Sequence, residues 1–256
     1  MSNRNTIDRS WVFGSREQEA KVKPLCQRVE AEFDLTSGRL CRYFAESDDS
    51  YLVSNPYFGQ HFRGFHATVE SRNAFPQYIR DRFFHPFNML TTRETSPTFD
   101  EMVAFDSLIY VRKSTCDDPT GLVECYAHEL QHFVQRWKMP RVYAVNNVLY
   151  RNLKRFDLST TVIDIPTERE ANIVSKRVAE VVCGVEAVNA FADAQVRLMD
   201  GLGESEQRER WTYFRDMSSS APFDLLESTK SLVEKYKGVL DFGIDVSADQ
   251  WWIGNA

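Results

Sequence analysis

Positive charge is in short supply. Lys and Arg number 31 against 37 Asp and Glu, a formal charge of −6, so there is no global basic field to draw nucleic acid. The first nine residues are polar and lack an apolar core, so no secretory signal is expected. No apolar run reaches the length of a bilayer span; the best stretch, Val178–Ala192, is broken by Glu180, Gly184 and Glu186. Cysteine is sparse and odd in number: Cys26, Cys41, Cys116, Cys125 and Cys183, with no C-x-x-C pair. Free thiols in a reducing cytoplasm are the expectation. Internal repeats and low-complexity tracts are lacking as well.

What is present is an ordinary soluble composition, 43% hydrophobic and 27% charged, over 256 residues. That length suits one large domain or two small ones and can bury a sizeable core. Three portions are expected. Residues 1–100 form an N-terminal α+β portion; residues 101–200 hold the candidate chemistry; residues 201–256 are a loop followed by a helical segment and tail. In the first portion, Glu17–Phe33 has helical character interrupted by Pro24, and Leu40–Phe44 suits a short strand. Residues 51–90 are dense in aromatics, with a short helix expected over Ala74–Phe84. They suit either the upper wall of a cleft or plain core packing.

Met102–Val111 is rich in β-branched and aromatic types and reads as a buried strand. Cys116–Gly121 is a turn, with Pro119 placed to open the next helix. That helix is expected from Thr120 to Lys138, before Pro140, with an apolar stripe of Val123, Ala127, Leu130, Val134 and Trp137. A second helix is expected over Arg141–Phe156. It belongs to a stretch carrying basic residues and no acids, including Arg136, Lys138 and Arg141. A loop with a β-like run, Thr161–Ile165, comes next. Thr167 with Glu170 fits a capping box, or Pro166 and Thr167 fit the first turn, of a long helix towards Gly184. Gly201–Pro222 reads as a loop, Phe223–Leu240 as a last amphipathic helix, and Trp251-Trp252 ends a tail that docks back or binds a partner.

One stretch carries chemistry: His128-Glu129-Leu130-Gln131-His132, an H-E-x-x-H sequence. Residues four apart on a helix are offset by about 40° and rise about 6 Å, so the two imidazoles project from one face. Zinc takes neutral imidazole nitrogens and, in catalytic sites, keeps one position for water. Glu129 is placed to act as base on that water. Two satisfied structural histidines would show the same spacing; the strand–turn–helix context and Glu129 favour the metal.

A third ligand follows by elimination. All five histidines lie at or before His132, and the positions that H-E-x-x-H-x-x-G-x-x-H requires are Gln135 and Lys138 here. A downstream ligand must then be a carboxylate or Cys183. Glu168, at a helix start, is preferred, with Glu170 the fallback; the two lie about 200° apart around the helix and do not coordinate together. Glu168 also suits a plain first-turn acid. Asn172, one turn on from Glu168, can bond to a ligating imidazole and fix its ring.

H-E-L-Q-H followed by E-R-E-A-N resembles the gluzincin group of zinc peptidases. Within it the sequence is similar to the ImmA/IrrE-like metallopeptidases, over about residues 100–182. The resemblance implies an α+β fold: a mostly helical zincin-like domain with a small sheet whose edge strand precedes the H-E-x-x-H helix. It implies His128, His132 and Glu168 as Zn²⁺ ligands, Glu129 as catalytic base, and a protein or peptide substrate cut by hydrolysis. Tyr143 or Tyr150 is a candidate donor to the oxyanion. The strand at 103–111 is expected to be the edge on which an extended substrate pairs. The chain departs from the family in an extra helix between His132 and Glu168, and in Ile173–Arg177 after E-A-N. A silent binding or regulatory protein is the alternative, and a deformylase-like hydrolase lacks its upstream Gly-Cys ligand.

Overall fold

A strand, a helix and a second strand parallel to the first open the folded chain. The computed structural model describes residues 11–33, 35, 40–47, 63–68, 107–155, 162–238 and 252. Strand β1 is Trp11–Phe13, helix α1 Arg16–Ala31 and strand β2 Leu40–Phe44. Ser15 caps α1 by accepting from the Gln18 amide at 3.1 Å. The Gln18 side chain accepts from Gly14 N at 2.8 Å and donates to Ala45 O at 2.7 Å, tying the helix start to the end of β2. Pro24 lies inside α1 without ending it. Proline removes one backbone donor, and here both Pro24 and Ala20, whose carbonyl loses that donor, face solvent, where water can replace it.

Strand β3 is Gly64–Thr68 and strand β4 is Ser107–Val111. The four strands form one mixed sheet in the order β1-β2-β4-β3. The first three are parallel, and β3 runs antiparallel to β4 with Phe65 opposite Tyr110. This corrects the expected topology. The strand before the H-E-x-x-H helix is interior, bonded to β2 on one side and β3 on the other, and among the described residues β3 ends the sheet. The reason is visible in β4 itself: Ile109, Tyr110 and Val111 are all buried, as a central strand requires. Phe13 stacks on Phe44 at 5.0 Å, and Trp11 stacks on Phe44 at 6.1 Å. On the other face, Tyr43, Tyr110 and Phe65 stack across three strands at 5.4 and 5.0 Å.

After β4 come a single turn, α2 (Lys113–Cys116), and α3 (Pro119–Lys138). Every residue of α3 from Gly121 to Phe133 is buried, so this is not a one-striped surface helix. Trp137, placed in the expected apolar stripe, is 45% exposed. Gly121 admits Arg63: a Cβ there would lie 2.5 Å from the guanidinium, which donates to the Gly121 carbonyl and pairs with Glu124. The chain consists of two compact units, Met1–Glu129 and Leu130–Ala256, and the boundary falls inside α3.

The second unit is helical among its described residues. Helix α4 is Pro140–Arg155, and Val162–Asp164 is a 3₁₀ turn where a β-like run was expected. Helix α5 is Pro166–Cys183, α6 Val185–Leu202, α7 Ser205–Asp216 and α8 Leu225–Tyr236. Helix α7 overturns the loop expected over Gly201–Pro222. Its polar sequence hides two anchors three apart, Trp211 and Phe214, which bury and pack edge-on, with Phe191 of α6 set edge-on to Trp211 at 5.4 Å. Gly203 takes a left-handed φ of 72° and ends α6 two residues after Gly201. The buried Lys176 ammonium donates to Arg215 O and Met217 O, both at 2.7 Å, closing the carboxyl end of α7. Val145 and Leu149 of α4, Val233 of α8 and Trp252 of the tail share one core, so the tail docks back. The expected helix Ala74–Phe84, and most of the aromatic stretch 51–90, lie outside the described residues.

Candidate metal centre

Helix α3 sets the frame. His128 and His132 are one turn apart on an uninterrupted helix, so their common face depends on helix geometry alone. Both are buried, as is Glu129. Helix α5 supplies the third group. Pro166 occupies its first position, Ile165 precedes it in extended conformation, and no side chain caps the end, so the expected Thr167–Glu170 capping box does not form. Glu168 therefore stands in the exposed-donor first turn, and its carboxylate reaches His132: Nε2 to Oε1 is 3.3 Å. One ligand atom from each of His128, His132 and Glu168 lies within 4.8 Å of the other two.

The other carboxylate, Glu170, turns away to a different task. It accepts from Gln131 Nε2 and from Gln135 Nε2, both at 2.9 Å. Gln135 Nε2 also donates to the Thr167 carbonyl at 2.8 Å. With its amide nitrogen committed to two acceptors, Gln135 presents its oxygen to His132 Nδ1 at 2.8 Å. An amide oxygen only accepts, so Nδ1 carries the proton and the lone pair of the neutral ring lies on Nε2, facing Glu168. A lone pair and a carboxylate oxygen 3.3 Å apart repel unless a proton or a cation lies between them.

The donor set is one that could hold a metal ion. Two imidazoles and one carboxylate are a known catalytic ligand set, and two such ligands on a tetrahedral ion stand about 3.3–3.5 Å apart. The His132–Glu168 separation matches that figure. The spacing also suits an imidazolium–carboxylate pair, and the Gln135 oxygen accepts from Nδ1–H in either case.

The remaining sequence-predicted residues are placed as follows. Tyr143 sets its ring edge-on to His132, with centroids 6.4 Å apart. Tyr150 lies seven residues further along α4, about 10 Å down the axis, and is exposed. Asn172 is 1% exposed, and its Nδ2 has no hydrogen-bond partner among the described residues. The His132 ring is bonded by Gln135. Gln131 and Gln135 were missed by motif reading, although they stand four apart on α3, with Gln135 three beyond His132, in reach of its ring. Cys183, at the far end of α5 from Glu168, is not in the cluster. In the first unit, Gly64 opens β3 close to Glu129: a Cβ there would lie 2.7 Å from Tyr110 O and Cys125 Sγ and 3.7 Å from Glu129 Cγ.

Comparison with models of known families, with curated proteins and with solved structures gives no match in any of the three. Among the described residues, no helix is long and apolar enough to cross a membrane.

Proposed function

We propose that this chain is a zinc-dependent hydrolase of peptide bonds, of the gluzincin type, with His128, His132 and Glu168 as the metal ligands. The observation that carries this reading is the convergence of His128, His132 and Glu168, with the Glu168 carboxylate 3.3 Å from His132 Nε2. Zinc bound there supplies a water of lowered pKa and a Lewis acid for the substrate carbonyl. The chain's own residues do the rest. Glu129, next to the first ligand and buried, takes a proton from the attacking water onto its carboxylate and returns it to the leaving amine. Tyr143, the tyrosine beside His132, donates its phenolic proton to the oxygen of the developing tetrahedral centre. An extended peptide adds to β3, the strand at the end of the sheet order among the described residues.

Metal analysis of the purified chain, with peptide cleavage by wild type and by Glu129→Gln, tests the proposal. Stoichiometric zinc in both proteins and cleavage only by wild type support it. Absence of zinc sinks it. Zinc without cleavage in either protein points to a regulatory or binding role for the same centre.

A further inference from the structure

The cluster behind His132 is more elaborate than a metal ligand needs, and its polarity runs one way. Glu170 accepts from two glutamines, Gln131 and Gln135. The Thr167 carbonyl accepts from Gln135 as well. Neither acceptor can donate, so a flipped Gln135 would set its oxygen against two other oxygens. The amide is locked, and its locked oxygen meets His132 Nδ1 at 2.8 Å in a buried setting. On the other side of the same ring, Glu168 Oε1 lies 3.3 Å from Nε2 and draws the proton in the opposite direction. A neutral imidazole has one proton, and two acceptors compete for it.

Resting on the hydrolase reading for its purpose, and on hydrogen-bond polarity for its evidence, the geometry points to Gln135 as a positioning residue, with Glu170 as its lock. Together they hold the proton of a neutral His132 on Nδ1 against the pull of Glu168, so that Nε2 keeps its lone pair before any metal arrives. Glu168 alone would favour the Nε2–H ring, in which the nitrogen nearest the carboxylate is blocked. Glu168 and Glu170, two residues apart on α5, thus act on opposite edges of one imidazole: the first directly, the second through a glutamine. Carboxyl or amide groups that orient ligating histidines are worth roughly 10–100-fold in metal affinity.

The test uses the full chain, ¹⁵N-labelled, stripped of metal and held near pH 9, about two units above the ordinary imidazole value, so that the ring is neutral. Two-bond ¹H–¹⁵N spectra read which nitrogen carries the proton. Wild type is expected to show Nδ1–H at His132. Gln135→Leu is expected to move the proton to Nε2, and Glu170→Gln, which keeps the shape of the cluster, to give a mixture. Zinc titration should then show Gln135→Leu binding roughly 10–100-fold more weakly than wild type. The same protonated nitrogen in wild type and in both variants overturns the assignment, and so does an Nε2–H ring in wild type. Should Gln135→Leu fail to fold, Glu170→Gln carries the test alone. A wild-type chain that takes up no zinc ends the hydrolase reading, while the spectra still decide where the proton is held.

Discussion

Two buried polar clusters of this chain use similar groups and are balanced in opposite ways. In the first unit, Arg42 Nε donates to Glu30 Oε1 at 2.5 Å and to the Tyr126 hydroxyl at 3.0 Å. That hydroxyl in turn donates a hydrogen bond to Glu30 Oε1 at 2.6 Å. The guanidinium also lies over the Trp11 ring, 4.6 Å from its centroid. Charge meets charge, and the guanidinium also donates from Nη1 to Leu40 O at 3.0 Å. Around His132 a neutral ring with its proton on Nδ1 would turn a lone pair towards the Glu168 carboxylate, the arrangement on which the zinc proposal rests. Buried position and ionisable side chains are common to both clusters. The balance of donors against acceptors is what separates a structural tie from a ligand site.

The sharpest way to break that comparison is at Glu129. Glu129→Gln should lower peptide hydrolysis by on the order of 10²–10⁴-fold while zinc stoichiometry and thermal unfolding stay as in wild type. Cleavage at the wild-type rate would remove Glu129 from the mechanism. The opposite signature belongs to the closed cluster. Glu30→Ala strands the Arg42 guanidinium, whose side chain is only 13% exposed, and should destabilise the fold by on the order of 3 kcal/mol in chemical denaturation. Zinc affinity measured on the folded fraction should not move; if it does, the two clusters are coupled and the contrast between them is false.

Smaller again is the effect of the ion on folding. Zinc at a hundred times its dissociation constant should stabilise wild type by about 2.7 kcal/mol, read as a rise in melting temperature. Glu168→Gln, which keeps the volume and removes the anionic ligand, should lose most of that rise. An equal rise in the variant would mean that zinc binds elsewhere.

Legibility in the sequence followed the range of the interactions. Helix α3 was readable because Pro119, the apolar spacing and Pro140 are local signals, and the histidine pair came with it. Glu168 needed an argument by elimination, since nothing local distinguishes a ligand from a first-turn acid. Glu170 was read as half of a capping box; its partners, Gln131 and Gln135, lie 39 and 35 residues away, and no local pattern joins them. Helix α7 was hidden by charge: its residues are mostly polar, and its buried apolar anchors are the Trp211–Phe214 pair, meeting Phe191 of α6. The strand order also eluded pattern reading. Residues 107–111 look the same as edge or centre until β3 is paired to them.

The mildest expected effect is on alkaline stability, and it isolates one hydroxyl of the closed cluster. Burial pushes the Tyr126 phenol well above its ordinary 10.0. The folded chain therefore keeps that proton where the unfolded chain releases it. By linkage, the contribution is whole below pH 10 and is lost as the pH rises above it, by at most about 1.4 kcal/mol per pH unit. The buried thiols act in the same sense from lower pH: Cys41, raised by burial to about 12 from 9.0, begins to lose its contribution near pH 9. Wild type and Tyr126→Phe should then lose stability in parallel between pH 9 and 10 and diverge above 10, wild type falling more steeply. The comparison is of slopes, because the missing hydroxyl lowers the variant at every pH. Urea midpoints at half-unit steps from pH 8.5 to 11 would resolve the difference. Parallel curves throughout would mean that the phenol releases its proton at the same pH in the folded and the unfolded chain, and that Glu30, Arg42 and Tyr126 form an open cluster rather than a closed one.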